Sequence, residues 1–126
     1  MPLADARPVA MINVKDRKVA EGFYADTLGL RQLPGDGFAA LFDLGGTRMR
    51  LTEVPGYSAS PYPVLGFEVS DIKNAVDALK AKGVTMNIYE GLGQDEDGIW
   101  TAPDNSCKVV FFNDPDGNGL SLTQNL

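Results

Sequence analysis

The chain has 126 residues, a net charge of −6 at pH 7 and a 44% hydrophobic share, the composition of one globular domain or of two packed halves of one. Disorder is excluded by that apolar content, and a nucleic-acid partner by the lack of any Lys/Arg cluster to meet a phosphate backbone. Histidine is absent, which removes histidine triads, histidine general bases and histidine-bearing metal sites together.

Residues 9–14 (Val9-Ala10-Met11-Ile12-Asn13-Val14) read as a short strand. Asp16 then predicts the N-cap of a helix running to about Leu28, with Val19, Phe23 and the Thr27/Leu28 pair on one face and Gly29 as its stop. Strands follow at 30–33, 38–44 and 47–54, turned by Pro34-Gly35-Asp36-Gly37 and by Gly45-Gly46. Residues 57–63, rich in tyrosine, serine and proline, read as an extended linker.

The pattern then starts again. Residues 64–69 form a strand and Ser70-Asp71 opens a helix to about Lys82, with Ile72, Ala75, Val76 and Leu79 on its apolar face and Gly83 as its stop. Val14, Asp16, Lys18 and Ala20 match Val69, Asp71, Lys73 and Ala75 at an offset of 55 residues, whereas Gly29 and Gly83 match at 54. Strands are expected at 85–89, 107–112 and 120–124, with a further one at 99–101 and a mobile acidic loop over 91–98. Order and spacing therefore predict β-α-β-β-β twice over, a single 1–126 domain with modules at about 8–54 and 63–124. Asp114-Pro115-Asp116-Gly117-Asn118 is a turn between the last two strands.

Val14-Lys15-Asp16, Phe23-Tyr24, Leu28-Gly29-Leu30 and above all Phe111-Phe112-Asn113-Asp114-Pro115-Asp116-Gly117-Asn118 resemble the glyoxalase/bleomycin-resistance/extradiol-dioxygenase superfamily, the vicinal oxygen chelate family. The resemblance runs from about Pro8 to Gln124 and implies an α+β fold. In that fold two βαβββ modules curve a mixed sheet into a cup, with the helices outside. It also implies a small molecule bound in the cup, often at a homodimer interface. The family's enzymes hold a divalent metal on the first and last strand of each module, positions that fall here at Val9, Arg50, Val64 and Ser121. Two valines, a permanent cation and a lone hydroxyl cannot form a conventional metal site, and Glu68 or Glu53 offers at most weak cation binding. No metal or other cofactor is expected.

Strand alternation places Met11 and Asn13 with Val9, and Thr52, Arg48 and Arg50 together, with Met49 and Leu51 turned to the helix. Gly66 and Glu68 join Val64, and Ser121 and Thr123 oppose Leu120 and Leu122. The candidate ligand-binding set is thus Met11, Asn13, Arg48, Arg50, Glu68, Trp100, Ser121 and Thr123. Arg48 and Arg50 either receive an acidic group through bidentate hydrogen bonds or take no part in binding, Arg50 salt-bridged to Glu68 and Arg48 exposed to solvent. Trp100 either stacks on a flat ligand or anchors a hydrophobic contact. Tyr57, Tyr62 and Tyr89 are weaker lining candidates, Phe23, Phe67, Phe111 and Phe112 read as core, and Cys107 as a buried, inert thiol.

The reading that follows is a metal-free homodimer sequestering a small, drug-like or antibiotic molecule. The alternative is a lyase, isomerase or dioxygenase of the same superfamily, for which the Lewis acid that polarises vicinal oxygens has no evident holder. With one cysteine, no apolar run near the ~20 residues that span a bilayer, and no charged-then-apolar leader in Met1-Pro2-Leu3-Ala4-Asp5-Ala6-Arg7, a cytoplasmic protein without a membrane or nucleic-acid partner is expected.

Overall fold

The computed structural model describes residues 2–126, so Met1 of the N-terminal stretch lies outside it. The chain divides into two compact units, the first ending at Ser58 and the second running from Ala59 to Leu126.

In the first unit β1 (Val9–Val14) leads into α1 (Arg17–Gly22), followed by β2 (Arg31–Leu33), β3 (Ala39–Asp43) and β4 (Arg48–Glu53). The sheet order is β1-β4-β3-β2, with β1 parallel to β4 and the other pairs antiparallel. Asp16 caps α1 by accepting the Val19 N–H at 3.2 Å, and the carboxylate of Glu53, at the end of β4, accepts the Arg17 N–H at 2.8 Å. Two of the helix's orphan donors are thereby satisfied, one locally and one by the strand the helix packs on.

The second unit repeats the plan with β5 (Pro63–Glu68), α2 (Ile72–Ala81), β6 (Trp100–Thr101), β7 (Cys107–Asn113) and β8 (Gly119–Asn125), ordered β5-β8-β7-β6. The parallel pair is again first strand with last. Asp71 caps α2 through the Asn74 N–H at 3.0 Å, and Gln124 of β8 accepts the Ile72 N–H at 2.8 Å, the counterpart of Glu53 in the first unit. The match extends to side-chain function. Each module ties its helix to its own last strand.

The two helices differ by one residue, which accounts for the change of offset from 55 to 54. After Gly22 the first helix widens into a π-helical turn over Phe23–Thr27, where the Leu28 N–H reaches back five residues to the Phe23 carbonyl at 2.9 Å. Such a turn accommodates a single extra residue without breaking the helix. The packing face differs from the expected one. Ala20 and Tyr24 are fully buried, while Val19, expected on the apolar face, is 52% exposed and Phe23 only half-buried. Tyr24 packs on Phe42 at 6.1 Å between ring centres.

The core of the first unit is Ile12, Val14, Tyr24, Phe42, Met49 and Leu51, and that of the second is Ile72, Val76, Val110, Phe112, Leu120 and Leu122. Burying each such side chain contributes on the order of 1.5–3 kcal/mol against the entropy of ordering the chain. The second module's terminal hairpin adds a polar node. Asp114 and Asn118 are buried, and the Asp114 carboxylate accepts the Asn118 N–H at 2.9 Å and its side-chain amide at 2.8 Å. The turn expected from Asp114-Pro115-Asp116-Gly117-Asn118 is therefore more than a surface corner.

Two expectations for residues 85–99 are corrected. Residues 85–89 form no strand, and β6 takes the edge beside β7 instead. A single ladder-like bond remains there, from the Asn87 N–H to the Phe111 carbonyl at 2.7 Å. The loop over 91–98 is not slack but stapled. The Gln94 side chain accepts the Tyr89 N–H at 2.7 Å and donates to the Asn87 and Gly98 carbonyls, both at 2.8 Å. Asp95 accepts the Asp97 and Ile99 N–H groups, and Asp97 pairs with Lys80 at 2.9 Å and Lys73 at 3.2 Å. An amide that satisfies three backbone groups replaces the ladder a strand would have made. Among the described residues no helix is long and apolar enough to cross a membrane.

Candidate functional site

Each sheet has one face against its helix and one face turned away. In the first unit the alternation in β1 is clear: Val9, Met11 and Asn13 are exposed, Ile12 and Val14 buried. Register then fixes the rows across the sheet. Arg31, Asp43, Arg48 and Val9 stand in one row, and Leu33, Leu41, Arg50 and Met11 in the next. Asn13 and Thr52 are paired beyond them. Met11, Asn13, Arg48 and Arg50 therefore share one face.

The guanidinium of Arg50 lies 3.8 Å from Asp36, an open, half-exposed pair that contributes little to stability. Asp36 is itself fixed by the N–H groups of Phe38 at 2.7 Å and Ala39 at 2.8 Å. Those two donors, with the Arg50 and Arg17 charges, hold its carboxyl below the usual range. The partner expected for Arg50, Glu68, accepts a hydrogen bond from the Asn125 side chain at 3.0 Å. Arg48 is exposed and has no ion-pair partner among the described residues.

In the second unit, Val64, Gly66 and Glu68 of β5 share a face with Ser121, Thr123 and Asn125 of β8. Antiparallel register adds Val109 and Phe111 of β7, and through Val109 the edge residue Trp100. Glu68, Thr123, Val109 and Trp100 thus form one row, with Gly66, Ser121 and Phe111 in the next. Phe111 was read as core, yet it belongs to this face and is only half-buried, its ring edge-to-face with Tyr89 at 5.7 Å. The signal was present in the alternation with buried Val110 and Phe112. Phe67 is likewise half-buried, and Cys107 is not buried but stands on the same open face, opposite Asn125. Tyr62 is 73% exposed and lines no row of either sheet.

The family's four metal positions can be tested on these residues. Val9 and Val64 offer no donor atom, Arg50 carries a fixed positive charge, and the Ser121 hydroxyl lies against Gly66. Glu53 is committed to the Arg17 N–H and Glu68 to Asn125. No group of three His, Cys, Asp or Glu side chains is placed to hold a metal ion among the described residues. The donor set does not fit a divalent metal.

Paired βαβββ modules with mixed four-stranded sheets define a two-module α+β protein. The chain belongs to the Glyoxalase/Bleomycin resistance protein/Dioxygenase superfamily, whose model matches residues 8–122. Among solved structures, it is similar to a superfamily member from Sphaerobacter thermophilus (22% identity, TM-score 0.75, 98% of this chain and 99% of that one). It is also similar to the glyoxalase family protein from Enterococcus faecalis (20%, 0.75, 98% and 99%) and to lactoylglutathione lyase from Agrobacterium tumefaciens (18%, 0.70, 95% and 93%). At these identities the likeness is one of fold. No curated protein matches the chain significantly in sequence.

Proposed function

We propose that this protein binds a small organic molecule without a metal and without converting it, as a homodimer in the cytoplasm. The observation that carries this reading is the donor chemistry: no three His, Cys, Asp or Glu side chains among the described residues are grouped to hold a metal, and Val9, Arg50, Val64 and Ser121, which the family resemblance aligns with metal-ligand positions, offer no conventional set. What the open faces do present supports recognition. In the first unit Met11 stands among Asn13, Arg48 and Arg50, and in the second Val109, Phe111 and Trp100 stand among Glu68, Ser121 and Thr123, each face a mix of apolar area and a few placed polar groups. The pairing of chains common in the superfamily supports the dimer.

Elemental analysis of the dialysed protein, combined with a thermal-shift screen of small metabolites and antibiotics, tests the reading. The expected result is less than stoichiometric Zn, Ni, Fe or Mn and a saturable stabilisation by at least one compound, recovered unchanged. Stoichiometric metal, turnover of the bound compound, or no stabilisation by any compound would overturn it. Sedimentation velocity checks the dimer.

A further inference from the structure

We propose that Arg7 and Arg48 form a receptor for a small anionic group, a carboxylate or a phosphoryl group, on the molecule this protein binds. The proposal rests on the reading of the β1–β4 sheet's open face as ligand-binding and names the ligand's chemistry. A depression of about 280 Å³ is lined by Arg7, Pro8, Val9, Gly46 and Arg48. A water takes about 30 Å³ in the liquid, so either anion fits with room for the atoms that carry it.

The charge distribution points the same way. All five arginines, Arg7, Arg17, Arg31, Arg48 and Arg50, belong to the first unit, in a chain whose net charge is −6. Arg17 pairs with Glu21 and Arg50 with Asp36. Arg7, Arg31 and Arg48 have no ion-pair partner among the described residues. The one carboxylate in the row, Asp43, stands in register between Arg31 and Arg48 and accepts the Gly46 N–H at 2.8 Å. Two guanidinium groups flank that single negative charge in the sheet, and Arg7 lines the depression with Arg48, so the lining of the depression itself carries two positive charges and no carboxylate. Guanidinium forks suit the planar, multi-oxygen geometry of carboxylate and phosphate better than ammonium groups do. Val9 contributes an apolar wall. The acidic remainder of the protein repels anions at long range, and attraction therefore acts within about a Debye length of the pair, ~8 Å at physiological salt.

The test is a titration of the full-length protein with sodium phosphate and, separately, sodium succinate, at constant ionic strength, read on the arginine Nε–Hε NMR signals. At least one anion is expected to shift the Arg7 and Arg48 signals saturably. R7Q and R48Q should each weaken binding by about tenfold, the scale of one charge-assisted bond. K18Q, which removes an exposed charge from α1, should leave affinity within about twofold. R48K, which keeps the charge and loses the fork, covers the case of an unstable R48Q and should weaken binding severalfold. Phosphate alone, succinate alone or both saturating would each support the receptor and identify its class. No saturation by either anion, or equal loss in K18Q, would overturn it. If a neutral compound stabilises the protein while both anions fail, this inference falls and the binding reading stands. If phosphate binds through Arg7 and Arg48 while neither succinate nor any screened compound does, the reverse holds.

Discussion

Gly66 and Ser121 face each other in register across the parallel pair β5/β8, so closely that a β-carbon on Gly66 would lie 2.8 Å from the serine Oγ. The open face of the second sheet is therefore shaped at this point by a missing side chain. The Ser121 hydroxyl packs against backbone there.

Gly66→Ala should cost at most about 1 kcal/mol, because a β-carbon there forces the Ser121 hydroxyl to turn to another rotamer. Ser121→Ala in the same chain should recover most of the loss, since it removes the atom in conflict. Denaturant melts of the two single variants and the double variant give the coupling. Additive effects would show that the two positions do not meet.

Asp114→Ala should cost about 2–3 kcal/mol. It leaves the buried Asn118 amide and the backbone donors of the final hairpin without their acceptor. Asp114→Asn, which keeps one carbonyl oxygen, should cost less. Chemical denaturation orders the three proteins.

Glu53→Ala and Gln124→Ala should each lower stability by about 1 kcal/mol, because each removes the acceptor of a helix's first N–H group. Faster amide exchange is expected at Arg17 in the first variant and at Ile72 in the second, each confined to its own module.

Gln94→Ala should free the stapled loop. Hydrogen exchange at Tyr89 is expected to accelerate strongly, while Val110 and Phe112 in the adjoining strand keep their protection. Unchanged exchange at Tyr89 would show that the amide is not what holds the segment.

The pH dependence follows from carboxyls held below their usual value of 3.8. For Asp97 the main cause is the Lys80 hydrogen bond, followed by that from Lys73; for Asp36 it is the Phe38 and Ala39 N–H groups. The unfolded chain takes up these protons first as pH falls, so their stabilisation is complete above about pH 5 and is lost progressively below it. Melting temperature should stay level from about pH 7 to pH 5 and drop below pH 4. Asp97→Asn should flatten that drop in parallel scans.

Element order was legible because it depends on local signals. Asp16 and Asp71 cap helices as their position predicts, Gly29 and Gly83 take positive φ just past the helices, and the alternation in β1 sorts Met11 from Ile12. The segment 85–89 misled because its apolar residues resemble a strand, while its hydrogen bonds go to a glutamine several residues further on. Cys107 and Phe111 misled because hydrophobic type was taken for burial, and a sheet with one uncovered face leaves half of its apolar residues partly exposed.

The amino-acid sequence alone determined the repeated βαβββ plan, the extra residue in the first helix and the absence of histidine from every possible metal site. Periodicity, caps and donor chemistry are properties of residue type and spacing. Tertiary structure decided which carboxylate faces Arg50, that Gly66 makes room for Ser121, and that Arg7 and Arg48 line one depression. Those relationships join residues from 14 to 55 positions apart. They exist only once strand pairing has set the register, and no local preference encodes it.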